Sequence, residues 1–116
     1  MKRGVSLFFL CLLASFSFSQ VSEDFKFANH LLNTKRVSES VNYIEYRLKS
    51  NFNDSLNFIY GKSLFYLKDF SKAKSVFSQI PNNHQLIKET RFYYGLSKLY
   101  EGQTLSSKFI LDSLLN

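Results

Sequence analysis

The chain has 116 residues, 45% hydrophobic and 17% aromatic, with a formal net charge of +6. That length allows one small domain, and a single cysteine, Cys11, excludes a disulfide within it. The basic residues are interleaved with acids and polar groups without an arginine run, the pattern of a solvated helical surface and not of a nucleic-acid-binding stripe.

At the N-terminus, Lys2 and Arg3 precede an uncharged run of 14 residues, Val5 to Phe18, rich in Leu and Phe. Ser17-Phe18-Ser19 then places small residues where a signal peptidase reads them. Residues 1–19 are therefore predicted to be a signal peptide, cut between Ser19 and Gln20. Fourteen residues is short for a membrane span, which needs about 20; an uncleaved anchor is the alternative, and it would be the chain's one tie to a membrane. Phe8-Phe9-Leu10 lack the small residues expected before a lipidated Cys11. Cleavage leaves residues 20–116 as one domain, expected in the periplasm or outside the cell. Without Lys2 and Arg3, 13 of the 15 basic residues remain against 9 acids, a net +4. No thiol remains, so packing alone must hold the fold, and 9 Phe and 7 Tyr supply the apolar area.

The rest of the chain is predicted to be all helical. Breakers are few, and apolar residues recur at helical spacing. Ser22 before Glu23-Asp24 marks a first helix over about 22–34, its acids placed at the positive end of the helix dipole. Val37, Val41, Ile44 and Leu48 mark a second, about 38–50, with Ser38 either its cap or within it. Leu56, Tyr60, Leu64 and Leu67 mark a third, about 55–67, which Asp54 can cap. Phe70, Ala73, Phe77 and Ile80 mark a fourth, about 70–80, stopped by Pro81. Two more are expected at about 85–101 and 104–115, with Thr104 as cap. Short loops make antiparallel hairpins of neighbours.

A repeat underlies these helices. Gly61 and Gly95 are 34 residues apart, and their flanks agree: Phe58-Ile59-Tyr60-Gly61 aligns with Phe92-Tyr93-Tyr94-Gly95, Leu64-Phe65-Tyr66 with Lys98-Leu99-Tyr100, Ala73 with Ser107, and Phe77 with Leu111. At an offset of 33, Ala28, Val37, Ser40 and Ile44 stand where Gly61, Phe70, Ala73 and Phe77 stand. Thirty-four is the tetratricopeptide period, and the chain resembles that family over residues 22–116. Gly61 matches the family's small residue where helix A meets helix B, Asp69-Phe70 its acidic-aromatic turn, Ala73 its second small residue, and Phe77 its second-helix aromatic. Asn57 departs from the family's preferred aromatic, and Pro81 comes about one turn early. The resemblance implies three units, about 22–50, 54–81 and 88–116, stacked as a short solenoid of antiparallel hairpins in which neighbours bury each other's apolar faces.

Chemistry is sparse. There is no nucleophile-elbow, zinc-protease or phosphate-loop motif. His30 and His84 lack a second His, Cys or carboxylate at i+3 or i+4, so no metal, cofactor or catalytic residue is expected. Asn53-Asp54-Ser55 fits a glycosylation acceptor, which matters only in a eukaryotic secretory route. The resemblance implies binding of a protein or peptide in a groove lined by the first helix of each unit. By that phasing the groove positions are Phe25, Phe58 and Phe92, then Asn29, Lys62 and Leu96, then Leu32, Phe65 and Leu99. The bland alternative is that these rings close the core between adjacent helices. The final helix carries Leu105, Phe109, Ile110, Leu111, Leu114 and Leu115, more than one interface can cover. Phe109, Ile110, Leu114 and Leu115 are thus expected to form an uncapped packing face, where a partner or a second copy docks.

Overall fold

The computed structural model describes residues 23–115, all of whose regular structure is helical. The expected signal segment, its cut site and the Ser22 cap lie outside the described residues, as do Asn116 and the Leu115 side chain. Helix α1 covers residues 23–33, α2 Val37–Ser50, α3 Asp54–Tyr66, α4 Phe70–Phe77 and α5 Ile87–Leu115.

The turns after α1 and α3 are the same structure 33 residues apart. Lys35 (φ 64°) and Lys68 (φ 66°) take the left-handed conformation just past each helix. Arg36 N–H donates to Leu31 O at 2.9 Å and Lys35 N–H to Leu32 O at 3.1 Å; Asp69 N–H donates to Leu64 O at 3.0 Å and Lys68 N–H to Phe65 O at 2.9 Å. This doubly bonded ending satisfies the orphan carbonyls of each helix and reverses the chain. Lysine holds a position that glycine usually fills, at some steric cost.

Burial repeats with the turns. Ala28 and Gly61, Ser40 and Ala73, and Ile44 and Phe77 are each buried in both hairpins. The small members let helices approach closely: a Cβ on Gly61 would lie 2.5 Å from Cε1 of Phe77. Where Ser40 replaces alanine, its hydroxyl is satisfied. It lies 3.3 Å from Ala28 O and 3.0 Å from Ser63 Oγ, and Ser63 Oγ is 2.8 Å from Ile59 O, so the two hydroxyls and two carbonyls form one buried network. The core runs from Ala28 and Leu32 through Val41, Ile44, Leu56 and Ile59 to Val76, Phe77 and Ile80. Each such side chain contributes roughly 1.5–3 kcal/mol on burial. Asn57, the departure from the family's aromatic, is buried and donates from Nδ2 to Gln79 Oε1 at 3.1 Å.

Several local expectations are corrected. Asn53, not Asp54, caps α3: its side chain accepts from Ser55 N–H at 2.8 Å and Leu56 N–H at 3.3 Å, leaving Asp54 as a first-turn acid. Ser38 takes the second of its two expected places, inside α2, which has no side-chain cap. Asp24 is more than helix-start charge. It is buried, accepting from Tyr43 Oη at 2.7 Å and Arg47 Nε at 3.0 Å, and so ties α1 to α2. Helix α4 ends at Phe77, a turn earlier than Pro81 requires.

The largest correction concerns the C-terminal third. The two helices expected there, with a turn at Gly102 and a cap at Thr104, are one continuous helix of 29 residues. No glycine among the described residues has positive φ. One glycine inside a helix costs only about 0.5–1 kcal/mol, whereas reversing the chain there gives up consecutive backbone hydrogen bonds. The α1–α2 and α3–α4 reversals recover that loss because both helices of each pair enter the shared core. Helix α5 packs on α3 and α4 along one side only.

Candidate docking surface

The inner side of α5 is fixed by rings. Tyr93 stacks on Phe77 at 6.1 Å between centroids, and Tyr100 stacks on Phe70 at 5.5 Å. Phe65 lies between them, 5.5 Å from Phe70, 5.5 Å from Tyr93 and 5.9 Å from Tyr100. Such pairs add about 0.5–1.5 kcal/mol each beyond their area. Lys74 Nζ lies 2.6 Å from Glu101 Oε2 and pins the middle of α5 to α4. Burial, with a hydrogen bond to Tyr66, pushes the Tyr93 phenol up to about 12. Thr90 and Ser97 are buried on this side and donate to Leu86 O, just before α5, and to Tyr93 O within it. An open depression of about 410 Å³ lies at one end of the cluster, lined by Phe65, Tyr66, Lys68, Phe70 and Tyr100.

The structure separates the expected groove residues. Phe58 is buried, 4% exposed, with its ring 6.1 Å from Phe77 and 6.3 Å from Tyr93. Lys62 is half-buried, its Nζ 5.8 Å from the Phe58 ring and 5.2 Å from the Tyr93 ring, so its charge is engaged within the fold. Phe25, Asn29 and Leu96 are half-buried, Leu32 is buried and Phe65 belongs to the ring cluster. Phe92 and Leu99 instead face solvent. The three phenylalanines of the ladder are therefore not equivalent: α4 covers α3, whereas the outer side of α5 is bare.

That bare side is the most distinctive surface of the chain. Phe92 is 61% exposed, Leu99 55%, Ile110 57% and Leu114 78%. Leu105 and Phe109 are exposed as well. At 3.6 residues per turn, Phe92, Leu96, Leu99, Ile110 and Leu114 fall within roughly 40° of one line along the straight helix, on the side away from Thr90 and Ser97. Of the expected packing face, Phe109, Ile110 and Leu114 are thus exposed. The sequence separated Phe92 and Leu99 from that face by assuming a turn between them; the continuous helix unites the two sets.

Polar chemistry elsewhere is structural. Ser55 Oγ lies 3.2 Å from His84 Nε2, a spacing that suits a nucleophile and base. However, His84 Nδ1 accepts the Leu86 N–H at 3.1 Å. The ring proton therefore sits on Nε2 and points at the serine, the reverse of what a general base needs. The pair ties the α4–α5 connection to the start of α3, a role invisible in sequence because the partners are 29 residues apart. His30 is exposed on α1. Among the described residues, no group of His, Cys, Asp or Glu is arranged to hold a metal, and no helix is long and apolar enough to cross a membrane.

Comparison with protein-family models, with curated proteins and with solved structures finds no match to this chain.

Proposed function

We propose that the chain is an exported protein-binding scaffold of the tetratricopeptide kind, working through the outer face of α5. The repeat reading is supported by the two hairpins, which share their turn hydrogen bonds, the left-handed lysine and the burial of equivalent residues. The docking reading is carried by the apolar line from Phe92 to Leu114. Its exposed side chains amount to about 500 Å² of apolar surface, taking about 200 Å² per large side chain. A patch of that size ranks with the largest on a typical monomer, about 300–600 Å², which are often functional. Binding through the concave side is less favoured, since Phe58 and Lys62 already serve the fold.

A photo-crosslinking residue at Leu99 or Ile110 tests this in the native cell envelope. Covalent protein adducts are expected from these two positions and not from Lys26, an exposed site on α1. Equal yields at all three positions would refute it.

A further inference from the structure

We infer that the occupant of the α5 face is a second copy of this chain, whose α5 lies antiparallel against the first about a two-fold axis beside Gln103. The inference rests on the docking reading above and specifies its partner.

The pattern along the helix is self-complementary. Two apolar stretches, Phe92–Leu96–Leu99 and Ile110–Leu114, flank a polar centre at Gly102 and Gln103. An antiparallel pair centred on Gln103 sets Phe92 opposite Leu114 of the other copy and Leu96 opposite Ile110, with each glutamine meeting its own counterpart. All five apolar residues lie near the line that faces the axis, so neither helix has to rotate or bend.

The repeat supports the same register. In the α3–α4 hairpin, Gly61 receives Phe77, a pair centred on Asp69. Thirty-four residues on, the centre of the equivalent pairing falls at Gln103. Within one chain the straight helix cannot bring residues 103–115 back beside residues 88–102. A second copy delivers the same segment in the same direction. The area also fits: about 500 Å² of exposed apolar surface on this line per copy brings the pair to the roughly 1,000 Å² in total that a specific interface should clear. Opposed helix dipoles add to the antiparallel arrangement.

The test uses the full chain with Cys11→Ser, Leu96→Cys and Ile110→Cys, oxidised with diamide. In one straight helix these positions are about 21 Å apart, and a disulfide needs its Cα atoms within about 7 Å. A covalent dimer that reverts on reduction is expected. A monomer with an internal disulfide would overturn the inference, because residues 103–115 would then fold back on their own α5. So would the absence of any cross-link. In the unmodified chain, Leu99→Asp should weaken dimerisation more than about 100-fold, since the change occurs twice in a symmetric interface, while helix content stays unchanged. A dimer of unaltered affinity overturns the inference. A photo-adduct from Leu99 onto a different protein, or onto residues 5–18 of its own chain, also overturns it. The first result leaves the docking reading standing; a Leu99 position that yields no adduct removes both.

Discussion

Gly61 and Gly95 are equivalent in the repeat and opposite in environment, so one substitution should have opposite effects at the two sites. An alanine Cβ at position 61 would stand 2.5 Å from Phe77 Cε1 and 2.8 Å from Cδ1, against the 3.5–4.0 Å of a comfortable carbon contact. Phe77 is buried, with Phe58 and Tyr93 each 6.1 Å from its ring, so it cannot swing aside cheaply. Overpacking of this size costs about 1–3 kcal/mol. Alanine's better helix propensity returns about 0.8–1 kcal/mol. Gly61→Ala should therefore destabilise by about 1–2 kcal/mol. At position 95 there is nothing to strike, and Gly95→Ala should stabilise by about 0.5–1 kcal/mol. Urea unfolding followed by circular dichroism reads both, as a midpoint that falls for Gly61→Ala and rises for Gly95→Ala at constant slope. A neutral Gly61→Ala would show that the α3–α4 approach is looser than described. A destabilising Gly95→Ala would show that this glycine is covered, as a hairpin closed within one chain would cover it.

Two further predictions concern the turns and the phenols. Lys35→Gly and Lys68→Gly should each stabilise the fold by about 0.5–1 kcal/mol, because a left-handed residue with a Cβ carries about 1–2 kcal/mol of steric cost, part of which glycine's unfolded-state entropy offsets; thermal unfolding measures it, and a loss of stability in both would contradict the shared turn geometry. Tyr43 is pushed up to about 12 by burial and by its hydrogen bond to Asp24, and Tyr93 to about 12 by burial and its bond to Tyr66. Both values stand above the ordinary 10.0, so the stability they contribute is complete below pH 10 and is lost as pH rises towards 12. With no tryptophan in the chain, near-ultraviolet titration should resolve these two phenols ionising well above the ordinary 10.0, and unfolding measurements should show stability falling over the same window. Ionisation of every tyrosine together near 10 would contradict the burial.

What could be read from the sequence was what repeats. The first helix follows from the acids of Glu23-Asp24 at its start, the next three from apolar spacing and from Pro81, and the burial of Ala28, Ser40, Ala73 and Phe77 follows from the 33- and 34-residue offsets. The turn residues were less legible: glycine or asparagine normally announces a left-handed position, and Lys35 and Lys68 do not. Asp24, Ser55 and His84 were opaque because their partners lie 19 to 29 residues away. At Gly102 the sequence pointed the wrong way. The residue permits a turn, but permission is not a driving force, and the reversals that form in this chain are those whose two helices share a core. The same cause divides the phenylalanine ladder: an identical phase buries Phe58 under α4 and leaves Phe92 bare.

The two halves of α5 should accordingly differ in how they are held. Residues 87–101 are fixed by Phe70, Phe77 and Lys74. Beyond Glu101, the described apolar side chains Leu105, Phe109, Ile110 and Leu114 are exposed, so that stretch is helical chiefly by propagation from the anchored half. A segment of that length is marginal in water by itself, since isolated helices shorter than about 12–15 residues are barely stable. Pairing with a second α5 would bury its apolar line and slow its opening, whereas the anchored half is held already. Amide exchange should therefore be fast over residues 103–115 in dilute protein and slow down as concentration rises, with little change over residues 87–101. Leu99→Asp should abolish that concentration dependence without altering exchange in α3 or α4. If residues 103–115 were equally protected at every concentration, their order would come from within one chain, and the case for covering α5 with a second copy would fail.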